Sequence, residues 1–317
     1  MTNMWSILKK TSYLIVAVLV VVIVLAVFAG IYLSSPPAAN SNSTSNVIQV
    51  VAAENFWGSL ISQLGGTHVN VLSIVTDPNA DPHEYESNTA DAIAIAHARL
   101  VIVNGAGYDD WAQQLISAGN TPNQIVLNVQ QLVNQTVGAN PHFWYDPYYV
   151  NDTVNAMYKD LVSIDPTNTA YYTQQYVALK ASLAVYNGRI DQIKQQYGGV
   201  KVACTESIFV YLANATGLDL VSPTAFMQAV SEGNDPPAQS IVQFNQLIQS
   251  GTVKLLVYNS QTVTPLTQSI ETLANQTGIP VVPITETVQP PTAMFQDWMN
   301  AQLIAIQNAL STKTQGK

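Results

Sequence analysis

The sequence predicts an α/β chain: two parallel-sheet βα lobes joined by one long rigid helix, preceded by an N-terminal transmembrane helix. Three observations carry this. Short runs rich in Val and Ile alternate with helical patterns of about ten residues, and the rhythm occurs twice. A single amphipathic stripe lies between the two sets. An uncharged apolar run fills residues 13–33, long enough at roughly 20 residues to cross a bilayer.

Taken in order, YLIVAVLVVVIVLAVFAGIYL (13–33) follows Lys9 and Lys10, and no basic residue comes after it until Arg99. The positive-inside bias puts the N-terminus in the cytoplasm and everything beyond Leu33 outside. The run is longer than the roughly 7–15 apolar residues of a secretory signal, so it reads as an uncleaved anchor. The small residues of FAGIYLSS leave cleavage open, in which case the folded part is secreted. SSPPAANSNSTSN (34–46) has the composition of a flexible tether. No cysteine follows the apolar run to carry a lipid, and the single Cys204 permits no intrachain disulfide.

In the first lobe (47–165), VIQVVAA (47–53), HVNVLSIV (68–75), RLVIVNG (99–105) and QIVLNV (124–129) read as strands. NFWGSLISQL (55–64), TADAIAIAHA (89–98) and DDWAQQLISAG (109–119) read as the helices between them. Residues 166–198 form the linking helix. Tyr172, Tyr176, Leu179, Leu183, Tyr186, Ile190, Ile193 and Tyr197 fall at alternating spacings of four and three, one continuous apolar face. Asp165 is the expected N-cap, Pro166 a first-turn residue and Gly198 the stop. In the second lobe (199–317), KVACTES (201–207), LDLVSP (218–223), KLLVYNS (254–260) and IPVVPIT (279–285) repeat the strand pattern.

Charged residues are 10% of the chain, against roughly a quarter in an ordinary soluble domain, so each histidine and glutamate is informative. Beyond residue 33 there are 9 basic and 20 acidic residues, a net of −11. That balance argues against nucleic acid or anionic lipid as a partner and allows a cationic one. ADPHEYESNTADA (80–92) and NPHFWYDPYYV (140–150) each place a histidine after a proline just past a strand-like run. In parallel α/β sheets ligands collect where strands end and loops lead into helices, and His83 and His142 both stand there. The second lobe has two glutamates in equivalent places, Glu206 after KVACT and Glu286 after IPVVPIT. Two imidazoles facing two carboxylates form a mixed nitrogen and oxygen pocket suited to a divalent ion such as Zn²⁺, Mn²⁺ or Fe²⁺. The net charge of −2 would cancel the dication and let it sit away from water. His68 and His97 have no such company and read as structural.

A ligating imidazole needs a partner for its other nitrogen. Glu84, Glu86 and Asp146 are the candidates, although Asp146 before Pro147 also has the pattern of a helix cap. Asn259 ends another strand and is placed to line the cleft. Phe143, Trp144 and Tyr145 are expected to pack against the lobe. No Gly-x-Ser-x-Gly, His-Glu-x-x-His or phosphate-cradling loop occurs.

With these pieces in hand, the chain resembles the solute-binding proteins of metal-ion ABC importers, the zinc/manganese or TroA-like cluster. DPHEYE, NPHFWYDP, ESIFVYLANATGL, SEGNDPP and ITETVQP follow one another in family order between about residues 48 and 310. The resemblance implies metal ligation by His83 and His142. It places Glu206 at a position held by His or Glu in the family, and Glu286 where Asp is usual. Glu reaches one methylene further, so the coordination departs from the pattern. Glu206 follows the manganese type, and the long His- and Asp-rich loop of many zinc importers is missing. The expected function is capture of Zn²⁺ or Mn²⁺ by a membrane-tethered extracytoplasmic receptor that hands it to an ABC permease and its ATPase, without catalysis. Two other readings stay open. A secreted metal-dependent hydrolase needs an open coordination position, which the two carboxylates of the second lobe would fill. An adhesion or interaction protein would use the same fold without transport.

Overall fold

The computed structural model describes residues 47–314. The expected anchor (1–33) and tether (34–46) lie outside the described residues, among which no helix is long and apolar enough to cross a membrane. Two four-stranded sheets, all parallel, are joined through a long helix. Along the chain run β1 (Ile48–Glu54), α1 (Asn55–Gly65), β2 (Val69–Val75), α2 (Thr89–His97), β3 (Leu100–Val103), α3 (Asp110–Gly119), β4 (Ile125–Asn128), the single turn α4 (Val129–Leu132) and α5 (Pro147–Ile164). The linking helix is α6 (Thr169–Tyr197). Then come β5 (Lys201–Cys204), α7 (Val210–Thr216), β6 (Asp219–Leu220), α8 (Thr224–Ser231), α9 (Ala238–Gln249), β7 (Leu256–Asn259), α10 (Pro265–Gln276), β8 (Val281–Ile284) and α11 (Phe295–Thr314). All eight strands lie inside the runs expected from sequence, save that β1 extends to Glu54.

Both sheets have the same order, β2-β1-β3-β4 and β6-β5-β7-β8. Each half therefore reverses direction at its first strand, and the crevice at such a switch point is where α/β sheets bind ligands. The crevice lies between β1 and β3 in one sheet and between β5 and β7 in the other. The four residues of β3 and nearly all of β1 are buried, as expected of central strands covered on both faces. Their side chains alternate with the pleat. Val50, Ala52, Leu100 and Ile102 enter one large core, and Val51, Ala53, Val101 and Val103 enter a smaller one under α2 and α3. In the second sheet Val202, Cys204 and Val257 join the large core, whereas Ala203 and Leu256 face α8, α9 and α10.

The large core is shared. It runs from the first sheet through α1, α6 and α11 to the second, and residues from Val47 onward form one compact unit. The stripe read from sequence supplies α6's contribution: Tyr172, Leu179, Leu183, Tyr186, Ile190 and Ile193 are buried. Asp165 does not cap this helix. A 3₁₀ turn, Pro166–Asn168, intervenes, and the Asp165 carboxylate accepts from Asn168 Nδ2 at 2.7 Å and Tyr172 Oη at 2.9 Å. Pro166, one 3₁₀ turn ahead of the helix, starts a tighter coil, so the acid ties that coil to Tyr172 on the helix side instead of capping its end. The last helix, α11, crosses back from the second sheet. Phe295 N donates to Ser59 Oγ of α1 at 2.9 Å, and Arg189 of α6 reaches Asn300 and Gln307.

Candidate metal centre

His83 stands in the loop after β2. Asp81 accepts from His83 N–H at 2.9 Å and so fixes the 3₁₀ turn Pro82–Glu84. His142 follows β4 and is wholly buried. Its Nδ1 lies 2.6 Å from Asn140 Oδ1, which sets this nitrogen as the N–H and leaves Nε2 as the free lone pair. Glu206 follows β5 and Glu286 follows β8, both fully buried. A ligating nitrogen from each of His83 and His142 and an oxygen of Glu286 lie within 4.8 Å of one another. Glu286 Oε2 is 3.4 Å from His83 Nε2 and 4.0 Å from His142 Nε2. Two donors bound tetrahedrally to one Zn²⁺ at about 2.0–2.1 Å stand roughly 3.3 Å apart. The first distance matches that edge, and the second needs a small inward shift.

Glu206 lies outside that three-residue spread but is tied to it by Asn259. The Asn259 amide nitrogen is 2.9 Å from Glu206 Oε1 and 2.5 Å from Glu286 Oε1. Its orientation is set by Asn259 Oδ1, which accepts from Gln261 N–H at 2.9 Å. Tyr108, from the loop after β3, donates to Glu286 Oε2 at 2.6 Å and packs its ring edge on His83. Gly105, Ala106 and Gly107 all have positive φ, which is how the loop doubles back to aim that phenol.

The electrostatics favour a cation. Burial, and then the neighbouring Glu286, hold the Glu206 carboxyl well above the usual range. Burial, and then Asp81, also raise Glu286, with His83 opposing. Burial, and then His83, push His142 well below its ordinary value, so its imidazole is neutral. Burial, and then Glu286, keep Tyr108 protonated and able to donate. The buried atoms without a hydrogen-bond partner include His83 Nε2, His142 Nε2 and Glu206 Oε2. A buried lone pair without a donor costs free energy, and a dication held by the His83, His142 and Glu286 group would satisfy the two imidazole nitrogens.

The supporting residues differ from expectation. Glu84 and Glu86 are exposed; the 3₁₀ turn buries Pro82, half-buries His83 and leaves Glu84 in solvent. Asp146 caps α5, accepting from Tyr148 N at 2.8 Å and Tyr149 N at 3.3 Å. The orienting group at His142 is Asn140, the first residue of NPHFWYDP, and sequence reasoning passed over it. Tyr108 was also missed, although the strand-end rule that picked the ligands reaches it. Phe143, Trp144 and Tyr145 pack as expected, each buried.

The loops carrying the site are stitched across the two halves. Gln261 Nε2 donates to Ala80 O at 2.9 Å while its Oε1 accepts from Glu286 N and Thr287 N. Thr262 Oγ1 donates to Asp81 Oδ2 at 3.2 Å. Asn55 exchanges two hydrogen bonds with the Val288 backbone. A cavity of about 610 Å³ opens on His83 and Tyr108 from between the 138–141 loop and Ser207, Met227 and Ser231, a path from solvent to the His83 imidazole.

Next to Tyr108 in the chain, Asp109 forms a second buried acid pair with Glu54. Asp109 accepts backbone N–H from Asn104 and Gly105, yet burial pushes it up to about 6. Burial, and then Asp109, hold Glu54 well above the usual carboxylate range, and its oxygens meet no donor. Both acids keep protons further up the pH scale when folded than when unfolded. Their contribution to stability is therefore complete below about pH 4 and declines as pH rises, Asp109's being lost through about 6. Glu54→Gln is expected to stabilise the fold at pH 8 and to do so far less at pH 4, where the native carboxyl is already protonated in both states. Thermal unfolding at the two pH values checks this, and an equal shift at both would refute it.

Comparisons with known proteins agree with this geometry. Residues 50–309 match the family model described as zinc-uptake complex component A, periplasmic (ZnuA). The manganese-binding lipoprotein MntA of Halalkalibacterium halodurans is 26% identical over 183 residues, 55% of this chain and 59% of that protein. The manganese ABC transporter substrate-binding lipoprotein scaA of Streptococcus gordonii is 24% identical over 283 residues, 82% of this chain and 86% of that protein. The solved periplasmic zinc-binding protein TroA of Treponema pallidum superposes with a TM-score of 0.69 at 18% identity, covering 82% of this chain and 98% of the other. The two parallel sheets, the bridging helix and the family match over most of the folded chain lead to one statement: the chain belongs to the ZnuA family of metal-binding, non-catalytic solute-binding proteins of ABC importers.

Proposed function

We propose that this protein is a membrane-tethered extracytoplasmic receptor that closes on one Zn²⁺ or Mn²⁺ with His83, His142, Glu206 and Glu286 and passes it to an ABC permease and its ATPase. The working parts are an anchor (1–33), a tether (34–46), a first lobe (47–165), the helix (166–198) and a second lobe (199–317). The observation that carries the reading is the convergence of two unpartnered buried imidazole nitrogens with a buried carboxylate, beside a second carboxylate whose free oxygen also lacks a partner. The positive-inside pattern around residues 13–33 supports the extracytoplasmic placement. The curated relatives are named manganese-binding or manganese-transporter lipoproteins. Here no cysteine follows the apolar run, so the helix itself would be the anchor. Membership in a non-catalytic family removes the hydrolase reading.

The test is elemental analysis of protein purified without added metal, followed by titration of the chelator-stripped protein with Zn²⁺ and Mn²⁺. One ion per chain is expected. At a free metal concentration about a thousandfold above Kd, binding adds about 4 kcal/mol to stability, equivalent to a melting shift of roughly 10 °C for a chain of this size. No shift with either metal would overturn the reading.

A further inference from the structure

We infer that Asn259 is a positioning residue that sets the metal preference of the site: it holds Glu206 and Glu286 to one donor oxygen each and so favours Zn²⁺ over Mn²⁺. The inference rests on the ligand assignment proposed above and deepens it. The side-chain amide nitrogen has two hydrogens. It lies 2.9 Å from Glu206 Oε1 and 2.5 Å from Glu286 Oε1; Thr262 Oγ1 also stands at 2.9 Å, but a carboxylate is a stronger acceptor than a hydroxyl, so the two hydrogens go to the two acids. The amide cannot turn away, because its own oxygen is held by Gln261 N–H at 2.9 Å. Asn259 is itself buried, as are both glutamates, so water does not compete for these bonds.

The consequence is a donor count. Glu206 keeps Oε2, which has no partner. Glu286 keeps Oε2, which faces both imidazoles and also accepts from Tyr108. With the two Nε2 atoms, the protein offers two nitrogens and two oxygens. Four such donors suit the tetrahedral shell of Zn²⁺, whereas Mn²⁺ favours an octahedral, oxygen-rich shell. A bidentate glutamate would supply the additional oxygens, and the Asn259 amide stands on the atoms that would have to swing in. The family-type argument from Glu206 pointed to manganese; the amide bridge between the two acids argues the other way. What matters is how many oxygens each glutamate can present.

The experiment uses the purified full-length protein, stripped of metal and loaded with Co²⁺ as a spectroscopic stand-in for Zn²⁺, alongside competition between Zn²⁺ and Mn²⁺. The wild type is expected to give the intense visible band of four-coordinate Co²⁺. Asn259→Leu, which matches the volume without the donor, and Asn259→Ser, which is too short to bridge, are expected to weaken that band. Both should narrow the preference for Zn²⁺ over Mn²⁺ by about 10- to 100-fold, the usual size of an outer-sphere effect on metal affinity. A weak six-coordinate band in the wild type would overturn the inference whether or not the variants fold. Folded variants with an unchanged spectrum and an unchanged Zn/Mn ratio would overturn it too. His83→Ala separates the two layers of argument. If it abolishes the wild-type band while the Asn259 variants change nothing, only the role of Asn259 fails. If it leaves the band intact, the ligand assignment fails and this inference fails with it.

Discussion

Alanine at His83 or at His142 is expected to weaken Zn²⁺ binding at least about 100-fold, and alanine at both to abolish it. Apparent binding free energies of closed protein zinc sites are roughly 10–16 kcal/mol. Shared over four ligands, that places about 3 kcal/mol on each, and each 1.4 kcal/mol is a factor of about ten. The two histidines are not equivalent. His142 is wholly buried, neutral and aimed by Asn140, so its loss leaves a dry hole in which a water must replace a preset nitrogen. The His83 side chain is 21% exposed and borders the cavity, where a replacement water has a supply. The loss at His142 should therefore exceed the loss at His83. Calorimetric titration of each variant, with the melting temperature of the metal-free form as a folding control, measures both. Micromolar binding that survives in the double variant would place the ion elsewhere.

Trp144→Ala is expected to cost about 3–5 kcal/mol of folding free energy and to lower the melting temperature by roughly 10 °C. The indole is fully buried and stacks on Phe56 at a centroid distance of 3.9 Å and an interplanar angle of 19°. It also meets Tyr108 at 5.1 Å and His142 at 5.2 Å. That makes it the floor on which one ligand and one supporting phenol rest. Removing it opens a cavity in the shared core and frees His142 to tilt, so metal affinity should fall together with stability. Chemical unfolding of the metal-free protein separates the two effects. A destabilisation under about 1 kcal/mol would mean the site collapses without cost, which the packing of the stack does not allow.

Residues of the candidate site were legible to different degrees. His83, His142, Glu206 and Glu286 stood out because the chain is so poor in charge that a titratable group at a strand end needs a reason. Their neighbours were legible unevenly. Asn259, at a strand end, is expected from sequence to line the cleft, and its amide meets both Glu206 and Glu286. Glu84 and Glu86 are one and three positions from His83 yet exposed, while Tyr108, from a distant loop, donates to Glu286. Phenols have many ordinary roles, so no pattern marks the one that will face a carboxylate. Asn140 and Asp146 show the same limit inside a single motif. Both are polar and near His142, and the turn at Phe143–Tyr145 decides that the amide reaches the ring while the acid caps the helix.

The sequence by itself determined the elements. Runs of β-branched residues set the strands, and an apolar stripe at alternating steps of three and four set the buried face of the long helix, because both depend on local periodicity. It also placed two histidines and two glutamates just past strand ends. Only the tertiary structure decided the rest: the identical order of the two sheets, the return of α11 across α6 to α1, and the amide that binds both glutamates at once. Those features join residues far apart in the chain, and what joins them is hydrogen-bond geometry and shape in a buried space, which no local spacing records.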